Sequence, residues 1–310
     1  MKILGIGNAI VDVICKIDED YISRNNLTKG NMKLIFDENE FKNLLSNLKI
    51  EKTLSGGSVA NSVVGLSQLG NKVGFIGKVS DDDFGKKYEE GLKKENVEYI
   101  YNKKKETLPT GTCLILITPD SERTMCTFLG TAGKISENDV NIEAVKKSDM
   151  IFLEGYLWDE GDPKKAFIKA INNAKKVAMS LSDKFCVDRH KVHFLDLVKN
   201  KLDIIFSNEE EIISLIDAKN FDEVITFAKQ TKKLLIITRG NKGAISINGD
   251  NVVETGIREN LNIIDLTGAG DLFAAGYLHG IINNFSQIEC LNKGTEMSSK
   301  IIQQFGARLE

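Results

Sequence analysis

The sequence predicts an α/β protein with a mostly parallel central sheet covered by helices on both faces. Strand-like and helix-like segments alternate along most of the chain, and regular alternation of this kind builds βαβ units and a parallel sheet. The 310 residues are enough for one large core, or for one core with a small appendage. No internal repeat or low-complexity linker divides the chain, and it contains only three prolines.

In order, residues 2–6 read as a buried strand. Residues 37–48 read as a helix, with Asp37 as its cap and Phe41, Leu44, Leu45 and Leu48 at helical spacing. A helix over 58–69 is followed by a strand over 72–76 and a charged, exposed helix over 82–95. Next come a strand (149–153), a helix (163–174) and a strand (177–181). A strand over 202–206 leads into a helix from Asn208, and a helix over 221–229 into a strand over 234–237. Residues 244–247 and 252–254 form a hairpin around Asn248-Gly249-Asp250. A strand-like run over 261–264 precedes a helix that opens near Leu272, and the chain is helical again from Ser286. Two stretches, about 9–36 and 107–127, break the alternation, with strand-like patterning and no long helix.

Composition narrows the class. Hydrophobic residues make up 42% and charged residues 27% of the chain, as in ordinary globular proteins. A net charge of −3 opposes a nucleic-acid-binding domain, which presents a basic face. No apolar stretch approaches the ~20 residues that span a bilayer, so no membrane partner is expected. The first twenty residues lack the pattern of a signal peptide. Five cysteines, an odd number with no C-x-x-C pair, fit reduced thiols and a cytoplasmic location.

The richest segment is Asp265-Leu266-Thr267-Gly268-Ala269-Gly270-Asp271. Small residues there allow close backbone approach to a bound group. The helix that follows presents unpaired N–H groups, a ready anion site. Asp271 adds a proton acceptor beside it, which together is minimal equipment for phosphoryl transfer to a hydroxyl; the plainer reading is that the segment ends a loop and caps a helix. A second glycine pair, Gly56-Gly57, also leads into a helix, and Asn61 in its first two turns offers both a donor and an acceptor. Three other motifs fail. Gly5-Ile6-Gly7-Asn8-Ala9-Ile10 lacks the third glycine of a dinucleotide fingerprint. Asp83-Phe84-Gly85 has no protein-kinase context. Cys186, His190 and His193 give only three loosely spaced ligands in a charged segment read as flexible. There is no P-loop.

Together, Gly-Gly-x-x-x-Asn at residues 56–61 and the G-A-G-D core at 268–271 resemble the signatures of the PfkB (ribokinase-like) family of sugar and nucleoside kinases. Ser62 stands where that pattern has Ala, and Thr267 lies one place later than in many members. The resemblance runs the length of the chain. It implies one ribokinase-like αβα sandwich over residues 1–310, with a small β-sheet lid made from the insertions near 9–36 and 107–127. It implies ATP and Mg²⁺ as cosubstrate and metal; dependence on a monovalent cation stays open, as does monomer against homodimer.

Asp12, alone among apolar neighbours, either faces water on an edge strand or accepts hydrogen bonds from sugar hydroxyls; the resemblance implies the second. Arg123 is one of six arginines against 35 lysines. It is a solvated hairpin tip or, as the resemblance implies, a lid arginine reaching the transferred phosphate. Asn208 to Glu211 suits an acidic first helical turn. The resemblance also places Asn208 near the ATP phosphates and gives Glu211 a hold on Mg²⁺ through water. Thr238, Gly240 and Gly243 form a turn, and by the same likeness part of a nucleotide shelf.

The implied mechanism has Asp271 take the proton of a primary hydroxyl as it attacks the γ-phosphorus. Backbone N–H groups of Gly268, Ala269 and Gly270 stabilise the developing charge, and Asp12, Gly56, Gly57 and Asn61 hold the acceptor. The runs around 111–125, 154–159 and 183–190 look like those of bacterial adenosine-kinase-type members. An adenosine acceptor needs an apolar slot, which Ile10, Ile14, Met32 and Phe36 could line. A free-sugar kinase of the ribose or fructose type is the rival, and a non-catalytic nucleotide or sugar sensor is the alternative of another class.

Overall fold

The computed structural model describes residues 1–120, 122–158 and 161–309. Ser121 and Asp159, which fall in two of the runs quoted above, lie outside the described residues. The chain begins with β1 (Ile3–Ile6), β2 (Ile10–Lys16), α1 (Glu19–Arg24), β3 (Met32–Ile35), α2 (Glu38–Leu45) and β4 (Ile50–Gly56). It continues through α3 (Ser58–Gln68), β5 (Val73–Ile76), α4 (Asp83–Lys94), β6 (Glu98–Tyr99), β7 (Gly111–Ile117) and β8 (Arg123–Phe128). Then follow α5 (Ile142–Lys147), β9 (Met150–Glu154), α6 (Asp162–Asn173), β10 (Val177–Ser180), α7 (Lys184–Asn200), β11 (Ile204–Asn208) and α8 (Glu209–Ile216). The last elements are α9 (Phe221–Thr231), β12 (Leu234–Thr238), β13 (Ala244–Asn248), β14 (Asn251–Thr255), α10 (Ala269–Ile282) and α11 (Gln287–Ile301).

Nine strands form the main sheet in the order β14-β13-β12-β11-β10-β9-β1-β5-β6, parallel except for the β12-β13-β14 edge. Its inner strands are buried on both faces. In β9, Met150 and Phe152 join the core that contains Val59 and Val63 of α3 and Phe273 of α10. Ile151 and Leu153 join the opposite core, with Phe167 of α6 and Phe194 of α7. This two-sided burial explains why the strands read as apolar runs.

The remaining five strands form a second, smaller sheet in the order β3-β8-β7-β2-β4. The sequence pattern locates four of them in the two stretches that break the alternation. It misses β4, whose outer half carries exposed Ile50, Glu51 and Lys52 and so lacks an apolar signature. Because β4 pairs with β2 on the side away from β7, β2 is an interior strand and Asp12 does not sit on an edge. Val11, Val13 and Cys15 of β2 pack with Phe41 and Leu44 of α2 and Tyr88 of α4. The opposite face gathers Ile10, Cys113 and Ile115 with Ile14, Ile117 and Met125.

Two further expectations are corrected. Residues 261–264 form no strand. Asn260 takes the left-handed φ of +58°, which interrupts extended backbone, and the segment gains only the N–H bonds of Ile264 and Asp265 to the Ile302 carbonyl. Ile263 is left 61% exposed. The charged segment around Cys186, His190 and His193 forms helix α7, capped by Asp183 and kinked at His190, and it buries Cys186, His190 and Phe194. No metal-ligand cluster of three or more His, Cys, Asp or Glu exists among the described residues. No helix among them is long and apolar enough to cross a membrane.

One buried carboxylate ties the start of the chain to the sheet end. Glu154, at the end of β9 and 1% exposed, accepts the N–H of Asn8 at 2.9 Å on one oxygen and that of Val59 at 2.9 Å on the other. Val59 is in the first turn of α3, whose N-cap, Gly57, has no side chain to offer. Glu154 thus supplies the missing cap from another strand. Glu154→Ala leaves two buried N–H groups unpaired and should lower stability by about 2–4 kcal/mol. Urea unfolding measures it, and a loss within the error of the method would show that water replaces the carboxylate.

Candidate active site

Helices α3 and α10 bring their N-terminal turns together over the carboxyl end of the main sheet, and Asp271 sits where they meet. Gly268 caps α10 with a left-handed φ of +78° and no side chain. A Cβ there would come within 2.7 Å of the Ala307 main chain, so only glycine fits. Asp271, in the first turn, receives the Ser58 hydroxyl on Oδ1 at 2.6 Å and the Asn61 amide on Oδ2 at 3.0 Å. The Ser62 hydroxyl donates to its main-chain carbonyl at 2.9 Å. Loss of water raises the Asp271 pKa to about 6; the Ser58 and Asn61 bonds and the Arg308 charge pull it back down.

Asp12 reaches the same cleft from the small sheet. Gly56, on the neighbouring strand, leaves room for its carboxylate: a Cβ at Gly56 would lie 2.4 Å from Asp12 Oδ2. Gly57 turns the chain into α3 with φ of +101°, where a Cβ would overlap the Asn8 carbonyl oxygen at 2.2 Å. Desolvation pushes Asp12 up to about 7; the Arg308 charge opposes this, neighbouring Asp271 adds to it, and Arg123 opposes it.

The start of α10 has no side-chain cap. The N–H of Ala269, which the sequence assigns to charge stabilisation, donates instead to the Leu266 carbonyl at 3.2 Å. The amides of Gly268, Gly270 and Asp271 meet no acceptor among the described residues, and a Cβ on Gly270 would meet open space. These features fit a bound phosphate.

Arg123 does not sit in water. Its guanidinium donates to Asp265 at 2.5 Å and lies 4.9 Å from the centre of the Phe305 ring. The pair is largely buried and joins β8 of the small sheet to the loop that opens α10.

The second predicted group stands at the ends of β11 and β12, where Asn208 and Thr238 are register partners. It has no hydrogen bond to the first. Asn208 and Glu211 form a reciprocal cap: Asn208 Oδ1 accepts the Glu211 N–H at 2.8 Å, and the two Glu211 oxygens accept the Asn208 N–H and side-chain amide. Burial raises the Glu211 pKa to about 7, opposed by the Asn208 N–H, with Asp183 adding to the rise. A carboxylate so engaged fits Mg²⁺ through a water shell, not as a direct ligand. Gly240 lies in an open turn. Gly243 is required by the close approach of the Thr255 carbonyl, which a Cβ would meet at 2.0 Å.

Sequence reasoning gave no role to Ser58, Glu154 or Arg308. Glu154 carries a readable signal, a carboxylate ending an otherwise apolar strand. Arg308 carries none, since its partner Asn61 lies 247 residues away. The Arg123–Asp265 pair should show a coupling of about 1.5–3 kcal/mol in a double-mutant cycle of Arg123→Ala and Asp265→Ala. Urea unfolding at low salt measures it, and additive single losses would mean the two side chains act independently.

Known proteins share this architecture. The chain matches the pfkB family carbohydrate kinases over residues 24–310. Its structure resembles that of an adenosine kinase from Sinorhizobium meliloti, with a TM-score of 0.89 and 33% identity, covering 99% of this chain and 95% of that one. A probable sugar kinase from Rhizobium etli CFN 42 gives the same TM-score and identity over 99% and 94% of the two chains. The 5-dehydro-2-deoxygluconokinase of Clostridium botulinum (strain Eklund 17B / Type B) is 25% identical over 295 residues, 88% of this chain and 85% of its own length. With both signature segments converging on one cleft and the match spanning nearly the whole sequence, the chain belongs to the pfkB family of carbohydrate kinases.

Proposed function

We propose that this kinase moves the γ-phosphoryl group of ATP to a primary hydroxyl of a nucleoside, with adenosine as the favoured acceptor. The observation that carries the choice of acceptor is the inner face of the small sheet. Asp12 lies there among Ile10, Ile14, Cys113 and Ile115, a carboxylate for ribose hydroxyls beside an apolar surface for a flat base. The similarity to an adenosine kinase supports the same reading. Of the side chains expected to line the slot, Ile10 and Ile14 are on this face. Met32 is 51% exposed on the outer strand, and Phe36, past the end of β3, is 84% exposed and leaves the slot.

In this reading the small sheet acts as a lid and the acceptor lies between Asp12, the Gly56-Gly57 turn and Asn61. Its hydroxyl meets Asp271, which accepts the proton as the oxygen attacks the γ-phosphorus. A carboxylate is a weak base for an alcohol, so positioning contributes more than proton abstraction. The free amides of Gly270 and Asp271 at the α10 start receive the charge that develops on the phosphoryl oxygens. Asn208, Thr238, Gly240 and Gly243 line the nucleotide side. Mg²⁺, when bound, would screen the phosphate charge, with Glu211 reaching it through water. Arg123 contributes by holding the lid to the 265 loop; contact with phosphate would first require its release from Asp265.

A sugar acceptor is the second reading, favoured by the likeness to a probable sugar kinase and a 5-dehydro-2-deoxygluconokinase. ATP consumption with a panel of nucleosides and free sugars separates the readings. Turnover with adenosine and not with ribose, fructose or sugar acids is the expected result. Turnover with sugars alone would overturn the acceptor, and binding of nucleotide or sugar without turnover would favour a sensor.

Asp271→Asn should keep the fold and ATP binding yet lose at least ~100-fold in kcat; near-normal turnover would remove Asp271 as base. In the unaltered enzyme, kcat/KM should fall as pH drops through about 6, because protonated Asp271 accepts nothing. A profile flat down to pH 5 would contradict this.

A further inference from the structure

The segment after α11 closes on the site at three points. The Gly306 N–H donates to Asp265 Oδ2 at 2.8 Å, Ala307 packs against Gly268, and Arg308 Nε donates to Asn61 Oδ1 at 3.1 Å. The last contact has a consequence. An amide side chain has one acceptor end and one donor end. With its oxygen held by a guanidinium that can only donate, Asn61 must turn its NH₂ the other way, and there it meets Asp271 Oδ2 at 3.0 Å.

We propose that Arg308 is a positioning residue for the base: it fixes the orientation of the Asn61 amide, which in turn fixes the Asp271 carboxylate. The proposal rests on the reading of Asp271 as base. Ser58 holds Oδ1 and Asn61 holds Oδ2, so the carboxylate can neither rotate nor turn away from the cleft without losing a bond. A second observation sets Arg308 apart from an arginine that serves the fold alone. Its Nη2 is buried and meets no acceptor among the described residues. A guanidinium nitrogen left without a partner is costly, and an oxygen brought by a ligand would satisfy it. The charge of Arg308 acts on Asp12 and Asp271 together.

The charged and titratable groups around Asp271 are Arg308 from this segment, Asp12 from β2, and Glu154 and Tyr156 at the end of β9. Helix α3, packed on α10, carries no charged residue. Arg308 is the cation acting directly on Asp271, so removing it should move the titration of Asp271 upward.

The test uses the full chain. The carboxyl carbon of Asp271 is followed by ¹³C NMR against pH, its signal assigned by its absence from Asp271→Asn, and this requires no substrate. Arg308→Gln should raise the midpoint by at least about half a pH unit, and Arg308→Lys, which keeps the charge, should restore it. An unmoved midpoint in a folded Arg308→Gln protein would overturn the proposal. If the glutamine variant does not fold by circular dichroism, the lysine variant still decides: it has no group at the place of the Nε that donates to Asn61 Oδ1, so its Asn61 side-chain NH₂ resonance should shift. An unchanged NH₂ resonance would then overturn the relay. With an acceptor that turns over, Arg308→Gln and Asn61→Ala should each lose about 10–100-fold in kcat, and the double variant no more than the worse single one, because both act through one contact. Additive losses would mean that Arg308 does not act through Asn61. Absence of turnover in the unaltered protein would count against the base reading, while the NMR titration would still judge the contact.

Discussion

Four carboxylates, Asp12, Glu154, Glu211 and Asp271, stand where the protein strips away water, and each is pushed above its ordinary range. An anion taken out of water must be met by donors. Much of the cleft consists of the donors that meet them. Glu154 takes two main-chain N–H groups and so pins β1 and α3 to the end of β9. Glu211 takes those of Asn208 and so closes the first turn of α8. Asp271 takes the side chains of α3 and thereby fixes how α3 and α10 cross. The same bonds that satisfy these acids set the geometry of the site.

The small sheet is joined to this frame by different means. Its outer face is apolar and packs on α2 and α4, so it is anchored by burial. Its inner face carries Asp12 and Arg123. Arg123 reaches across to Asp265 Oδ2 in the loop that opens α10, and the Gly306 N–H donates to the same oxygen. One aspartate therefore receives the small sheet and the segment after α11 at once.

Much of the main sheet was legible because its inner strands are short and apolar on both faces, and helices beside it carry Asp or Asn caps at their starts, as with Asp82 and Asn208. The failures have physical causes as well. β4 is half exposed and leaves no apolar trace. Residues 261–264 have the composition of a strand, but the left-handed backbone at Asn260 interrupts the extended run before them. Helix α7 escapes the sequence pattern because the charge of its exposed face hides the spacing of Cys186, His190, Phe194 and Leu197.

The sequence by itself determined the alternating α/β architecture, the glycine turns at Gly57 and Gly268, and the residue types that a phosphoryl-transfer site needs, because these depend on local backbone preferences and on neighbours a few positions apart. Tertiary structure alone decided who satisfies whom: that Ser58 and Asn61 hold Asp271, that Glu154 caps α3, that Asp265 takes Arg123, and that Arg308 turns the Asn61 amide. A charged or amide side chain can choose any partner the fold brings within about 3 Å. Nothing in the order of residues along the chain records that choice.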